Sequence, residues 1–153
     1  MSQKIINKDN GEITINNFIV SAQTKLEDLL THFGKDIISK STYTSDYYFL
    51  PQMKIDEYYI KFSFKFREDM LQSVNFEIET EPVEREPWGN NRDVETKWIA
   101  DQMDDKSNFI WNMNVPKQYI LKHSWGYIGV IYDFKNGTFD SGLHYNNFPT
   151  IKL

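Results

Sequence analysis

Two consecutive segments of alternating character restrict the fold of this 153-residue chain more than any other feature. In "EYYIKFSFKF" (57–66) and "LQSVNFEIE" (71–79), apolar residues recur at every second position. This is the period of a β-strand with one face in the core and one face toward water. Joining the apolar faces requires even-numbered residues to lie opposite even-numbered ones, which a three-residue loop at 68–70 satisfies. The predicted cross-strand pairs are then Phe64–Val74, Phe62–Phe76 and Ile60–Ile78.

The region before these strands predicts a small hairpin and a helix. "EITINNFIV" (12–20) alternates on either side of Asn16-Asn17, a pair that tolerates positive φ in a primed turn. In "TKLEDLLTHFG" the spacing of Thr24 and Glu27 predicts a capping box, and Gly34 predicts the end of the helix. One apolar stripe recurs at i, i+3, i+4 and i+7, formed by Leu26, Leu29, Leu30 and Phe33. We expect this stripe to pack on the sheet.

The second half predicts another helix and a closing hairpin. The helix, at about 91–103, has apolar residues spread around its axis, so we expect it to be loosely buried. Asn136-Gly137 is a typical two-residue hairpin turn, and as such it would pair Val130 with Leu143 and place Asp133 opposite Asp140. A further strand at 47–55 contains Pro51, which favours a sheet edge or a bulge.

The order of elements is therefore ββ-α-βββ-α-ββ, with additional strands near 35–43 and 117–122. This order predicts an α+β fold, in which an antiparallel sheet of about six to eight strands has two helices packed on one face. A chain of this length can bury a single core, so residues 1–153 are expected to form one domain.

Composition excludes several classes of protein. The chain has no cysteine, which removes disulfides, thiolate metal sites and thiol nucleophiles. Its first twenty residues are too polar for a signal peptide, and no apolar run approaches the length of about 20 residues that spans a bilayer. We expect a cytoplasmic protein with no membrane partner.

Acidic residues are concentrated in the middle of the sequence. Ten acidic and three basic residues lie between Glu77 and Asp105, whereas the whole chain carries a net charge of −5. Nucleic acid is not an expected partner, because phosphate binding needs clustered lysine and arginine. A charged rim beside a tryptophan is instead typical of a protein-binding surface. The candidate partner-binding residues are Glu81, Glu84, Glu86, Trp88, Asp101, Asp104 and Asp105.

Candidates for chemistry are few. Asp133 and Asp140 would repel each other across the hairpin, which a bound cation could relieve, although both would also lie near a solvated turn. His144 would share their face, so a hydrolase or carbohydrate-processing enzyme using Asp133, Asp140 and His144 stays an alternative. The three histidines have no zinc-ligand spacing, and no nucleophile elbow or phosphate loop occurs. We therefore expect no metal, no cofactor and no catalytic residue.

Three segments carry a resemblance to a known class of proteins. They are "GEITINNFIVSAQTKLEDLL", the acidic helix region that contains tryptophan, and "WGYIGVIYDFKNGTFDSGLHY". In this order the chain resembles small bacterial immunity proteins that are encoded beside secreted polymorphic toxins. The resemblance implies a non-enzymatic protein that inactivates a cognate toxin, such as a basic nuclease or another secreted effector, by direct association. A structural or assembly module is a further alternative.

Overall fold

The computed structural model describes residues 3–41, 45–82, 92–105, 118–133 and 138–146. The helices in these ranges are α1 (Leu26–Phe33) and α2 (Arg92–Gln102). The first five strands are β1 (Ile13–Ile15), β2 (Phe18–Val20), β3 (Ile38–Ser41), β4 (Asp46–Phe49) and β5 (Met53–Ile55). The other five are β6 (Tyr58–Arg67), β7 (Met70–Glu79), β8 (Tyr119–His123), β9 (Gly126–Asp133) and β10 (Thr138–Tyr145).

The strands form one large and one small antiparallel sheet. The large sheet has eight strands in the order β3-β4-β6-β7-β10-β9-β8, with β5 also paired to β6. The small sheet is the β1–β2 hairpin, whose Asn16 and Asn17 both have positive φ, as the primed turn requires. The predicted α+β class, strand count and first turn are confirmed. Pro51 interrupts the segment predicted at 47–55, which forms β4 and β5 as two separate partners of β6.

The register of β6 and β7 is the predicted one, although the turn between them differs. Ile60, Phe62 and Phe64 pair with Ile78, Phe76 and Val74. The loop holds two residues instead of three, because Arg67 pairs with Met70 and the register shifts at Lys65/Phe66. This bulge absorbs one residue of β7 and keeps both apolar faces on the core side.

The predicted register of β9 and β10 was wrong by two residues. Leu143 lies opposite Ile128, and Asp140 lies opposite Ile131 instead of Asp133. The observed register places Gly142 opposite Gly129, where the neighbouring strands come close. A Cβ at Gly142 would lie 2.6 Å from the Val74 carbonyl oxygen, and one at Gly129 would overlap the Tyr119 carbonyl oxygen. Only glycine fits these two positions, because a backbone carbonyl of the next strand, β7 at Gly142 and β8 at Gly129, occupies the space of a side chain.

The start of α1 also differs from the prediction. The Thr24 hydroxyl accepts a hydrogen bond from the Ser21 N–H (2.8 Å) instead of capping the helix, and Lys25 stands at the N-cap with no side-chain bond. Leu29 and Phe33 are buried, and Phe18 of β2 contacts Phe33 edge to face at 5.6 Å. Leu30 is 39% exposed, so the packed stripe is narrower than predicted. The expected packing of both helices on one face of the sheet remains a prediction.

Helix α2 is deeply buried, contrary to the expectation of a loose helix. It packs on β7, β9 and β10, with Trp98 and Ile99 at most 1% exposed. Trp98 meets Phe76 edge to face, with 5.3 Å between ring centroids.

We call the side of the large sheet opposite to α2 the outer face. It carries the alternate residues of each strand. Within the described ranges, no helix has the length and apolar character that crossing a membrane requires.

Candidate functional site

The acidic residues at the end of α2 are joined to the N-terminal segment of the chain. The Lys4 ammonium lies 3.1 Å from one carboxylate oxygen of Asp104, and the Lys8 ammonium lies 3.4 Å from the other. The hydrogen bond from Lys4, with the nearby positive charges, lowers the pKa of the Asp104 carboxyl. Lys4 also donates to the backbone carbonyl of Asp101. Two lysines therefore offset part of the negative charge that the sequence concentrates here.

Gln102 completes this junction inside the protein. Its side-chain oxygen accepts the backbone N–H groups of Ile5 (2.8 Å) and Ile6 (3.2 Å), and its amide nitrogen donates to the Gln3 carbonyl (2.7 Å). Gln102 is 2% exposed, so it supplies partners to backbone groups that water does not reach. We call these contacts of residues 3–8 with the end of α2 the N-terminal clasp.

The remaining predicted residues have different surroundings. Asp105 accepts a 2.6 Å hydrogen bond from the Tyr119 hydroxyl, whose pKa is raised by burial and by this carboxylate. Asp101 is exposed on α2, and Glu81 is exposed in the bend that follows β7. The structure thus brings Asp101, Asp104 and Asp105 together at one end of a helix. Glu84, Glu86 and Trp88 lie outside the described residues.

One acidic residue of this segment belongs to the core. Glu95 has no exposed surface; its carboxylate accepts the backbone N–H of Ile78 (3.2 Å) and the hydroxyl of Ser141. A buried carboxylate needs such donors, because leaving it without them costs several kcal/mol. Glu95 links α2 to β7 and β10. Its position one turn before Trp98 and Ile99 was the signal in the sequence, since it continues their buried stripe.

Acidic residues also meet on the outer face of the large sheet. Glu77 of β7 lies opposite Lys61 of β6, and partial burial raises the pKa of the Glu77 carboxyl. The Lys61 charge lowers that pKa, and the like charge of Asp140 on β10 raises it further. Glu77 and Asp140 were not among the predicted partner-binding residues, although Glu77 begins the acidic segment.

A second group on the outer face combines aromatic and basic side chains. It is a single row across six adjacent strands, which we call the aromatic–basic row, and it comprises Tyr47, Lys65, Ser73, His144, Tyr127 and Lys122. The Lys65 ammonium lies 5.8 Å from the centroid of the Tyr47 ring, and the Tyr127 and His144 rings stack at 4.5 Å. Burial, with help from the Lys65 charge, lowers the pKa of His144 to about 4. The row crosses strands that are far apart in sequence, so no local pattern could reveal it.

The arrangement required by the predicted hydrolase alternative is not formed. Asp133 pairs with Thr138, so the two aspartates are not opposed. Asp140 and His144 are four residues apart on one strand, which separates them by roughly 13 Å. Among the described residues, no group of three or more histidine, aspartate and glutamate side chains could hold a metal ion.

Comparison with known proteins gives a likeness of fold. No protein-family model matches the sequence, and no curated protein matches it. The structure is similar to a chain in the solved structure of Rhs1-CT in complex with cognate immunity protein RhsI1, with a TM-score of 0.56 and 18% sequence identity. The match covers 95% of this chain and 90% of that chain. The resemblance that the sequence suggested is confirmed at the level of the fold.

Proposed function

We propose that this chain is a non-enzymatic cytoplasmic immunity protein, which neutralises a cognate bacterial toxin by direct association. The observation that carries the proposal is the likeness of fold to a chain from a complex of a toxin domain with its immunity protein, over nearly the full length of both chains. The three resembling segments of the sequence support the same role independently.

We further propose that the acidic segment contributes to toxin binding. Glu81 and Asp101 are exposed and available to a partner. Asp104 is also exposed, and its ion pairs with Lys4 and Lys8 cost little to rearrange because exposed pairs are weak. Glu84, Glu86 and Trp88 are the further partner-binding residues that the sequence predicts. A negative surface accelerates encounter with a basic partner and opposes binding of an acidic one.

The first experiment tests the acidic surface. The double charge reversal Glu81→Lys/Asp101→Lys should weaken binding by roughly tenfold or more and abolish protection, since it places like charges against a basic toxin. The binding partner is the C-terminal domain of the polypeptide encoded immediately upstream, with affinity measured by calorimetry and protection by growth during coexpression.

The control for this experiment is the double reversal Glu27→Lys/Asp36→Lys, which makes the same change of charge at exposed positions on α1 and in the turn after it. It should retain affinity and protection. Full binding and protection by Glu81→Lys/Asp101→Lys would show that the toxin contacts another surface. Asp104 is left unchanged because its substitution would also disturb the N-terminal clasp.

A further inference from the structure

The aromatic–basic row differs in charge from the protein as a whole. The chain carries a net charge of −5, yet the described side chains of this row include two lysines and no carboxylate. The next row on the outer face, toward the middle of the sheet, is uncharged; it comprises Phe49, Ser63, Asn75, Gly142, Gly129 and Ile120. Within the described part of the chain, neither Lys65 nor Lys122 has a carboxylate within salt-bridge distance.

The centre of the row contains a polar group without a partner. Ser73 lies between Lys65 and His144 and is 1% exposed, and its hydroxyl makes no hydrogen bond with any described residue. A buried hydroxyl of this kind costs free energy until an acceptor reaches it. Its two neighbours in the row contact aromatic rings: Lys65 lies over the Tyr47 ring, and His144 stacks on the Tyr127 ring. The Ser73 hydroxyl is therefore a hydrogen-bond donor that lies between the side chains of Lys65 and His144.

We infer that the aromatic–basic row is a docking surface for a carboxylate-bearing segment of the partner toxin, an inference that rests on the proposed function. The lysine ammonium groups supply the charge that attracts an aspartate or glutamate side chain. The imidazole of half-buried His144 adds a neutral donor, and buried Ser73 becomes a second one when docking displaces the side chains around it. Tyr47 and Tyr127 provide rigid aromatic surface, which is enriched where protein interfaces have their strongest contacts.

The outer face then carries opposite charges at its two ends. The aromatic–basic row occupies one end of the central strands, and Glu77 and Asp140 lie at the other end. Ser73 and Glu77 are four residues apart on β7, so the two ends are separated by roughly 13 Å. A toxin surface that presents an acidic group to the row and a basic group to Glu77 and Asp140 would match both ends, and this polarity would fix its orientation.

The test is the single charge reversal Lys65→Glu, measured against the same toxin domain as above. It should weaken binding by roughly tenfold or more, because it opposes one carboxylate with another. Lys122→Glu, at an exposed position on edge strand β8, is the second variant and carries less risk to folding. Lys35→Glu, exposed in the turn after α1, makes an equal change of charge away from the sheet and should bind normally.

The outcomes separate this inference from the proposed function. Loss of affinity in Lys65→Glu or Lys122→Glu, with a normal thermal melt and normal binding by Lys35→Glu, supports the inference. Unchanged affinity in both folded variants overturns it while the immunity role stands. A wild-type protein that neither binds the toxin domain nor protects cells overturns both. A reversal that changes only self-association, measured by sedimentation, identifies a second copy of this chain as the occupant and overturns the assignment to the toxin.

Discussion

Carboxylate side chains of one acidic segment meet three different environments in this protein. Glu95 is fully buried and accepts hydrogen bonds from β7 and β10. Asp105 is joined to the Tyr119 hydroxyl, and Asp104 is paired with two lysines. Asp101, in contrast, is exposed to solvent on α2. The charge that a partner meets is therefore smaller than the charge counted along the sequence.

His144 predicts how stability depends on pH. Its pKa is about 4 in the folded protein and 6.5 ordinarily, so between these values the unfolded chain binds a proton that the folded protein does not. Acidification in this window lowers the free energy of unfolding. The decrease is complete below pH 4, where it amounts to about 3 kcal/mol. Urea unfolding at several pH values between 7 and 4 measures this decrease in the free energy of unfolding. His144→Phe should remove this dependence on pH. The control is His123→Phe, which replaces a ring that stacks on Trp125, and it should keep the dependence. Equal slopes in all three proteins would contradict this account.

Turns between adjacent strands control register at the scale of elements. The β6–β7 turn places both Glu68 and Asp69 at positive φ (51° and 63°), where residues other than glycine and asparagine are disfavoured. The bulge beside it restores the pairing of even with even residues. The two devices together keep Phe62, Phe64 and Phe66 of β6, and Leu71, Val74 and Phe76 of β7, in the core.

Substitutions at Asp69 test this turn. Asp69→Gly should raise the free energy of unfolding by about 0.5 kcal/mol, because glycine adopts positive φ without a steric cost. Asp69→Ala should lower it by about 1 kcal/mol, because alanine lacks the local hydrogen bonding that helps aspartate to adopt this conformation. Chemical denaturation of the two variants beside the wild type measures both effects. If the alanine variant were as stable as the glycine variant, the positive φ at residue 69 would not affect the stability of the protein.

At the scale of the whole molecule, contacts between distant parts of the sequence fasten the N-terminal segment to the fold. The N-terminal clasp joins residues about one hundred positions apart. The Trp125 indole N–H donates to the Lys8 carbonyl and the Tyr145 hydroxyl donates to the Gly11 carbonyl, which extends the attachment to the β8–β9 turn and to β10. The segment is thus held by side chains from α2 and the closing strands.

Gln102→Ala should release the N-terminal clasp. Two buried backbone N–H groups would lose their acceptor, which should cost about 1–3 kcal/mol and increase amide hydrogen exchange at Ile5 and Ile6. Lys97→Ala, on the exposed side of the same helix, is the control and should change neither quantity by much. Unchanged protection of Ile5 and Ile6 in Gln102→Ala would show that other contacts hold the segment.

The sequence by itself determined the α+β class, the first hairpin and the central pairs of β6 and β7. These features depend on periodicity and turn chemistry, which act between neighbouring residues. It did not determine the β9–β10 register, because a shift of two residues leaves every side chain on the same face. It also did not distinguish buried Glu95 from exposed Glu81. Only the tertiary structure decided these points and assembled the aromatic–basic row, because they depend on partners that pack together from distant positions in the chain.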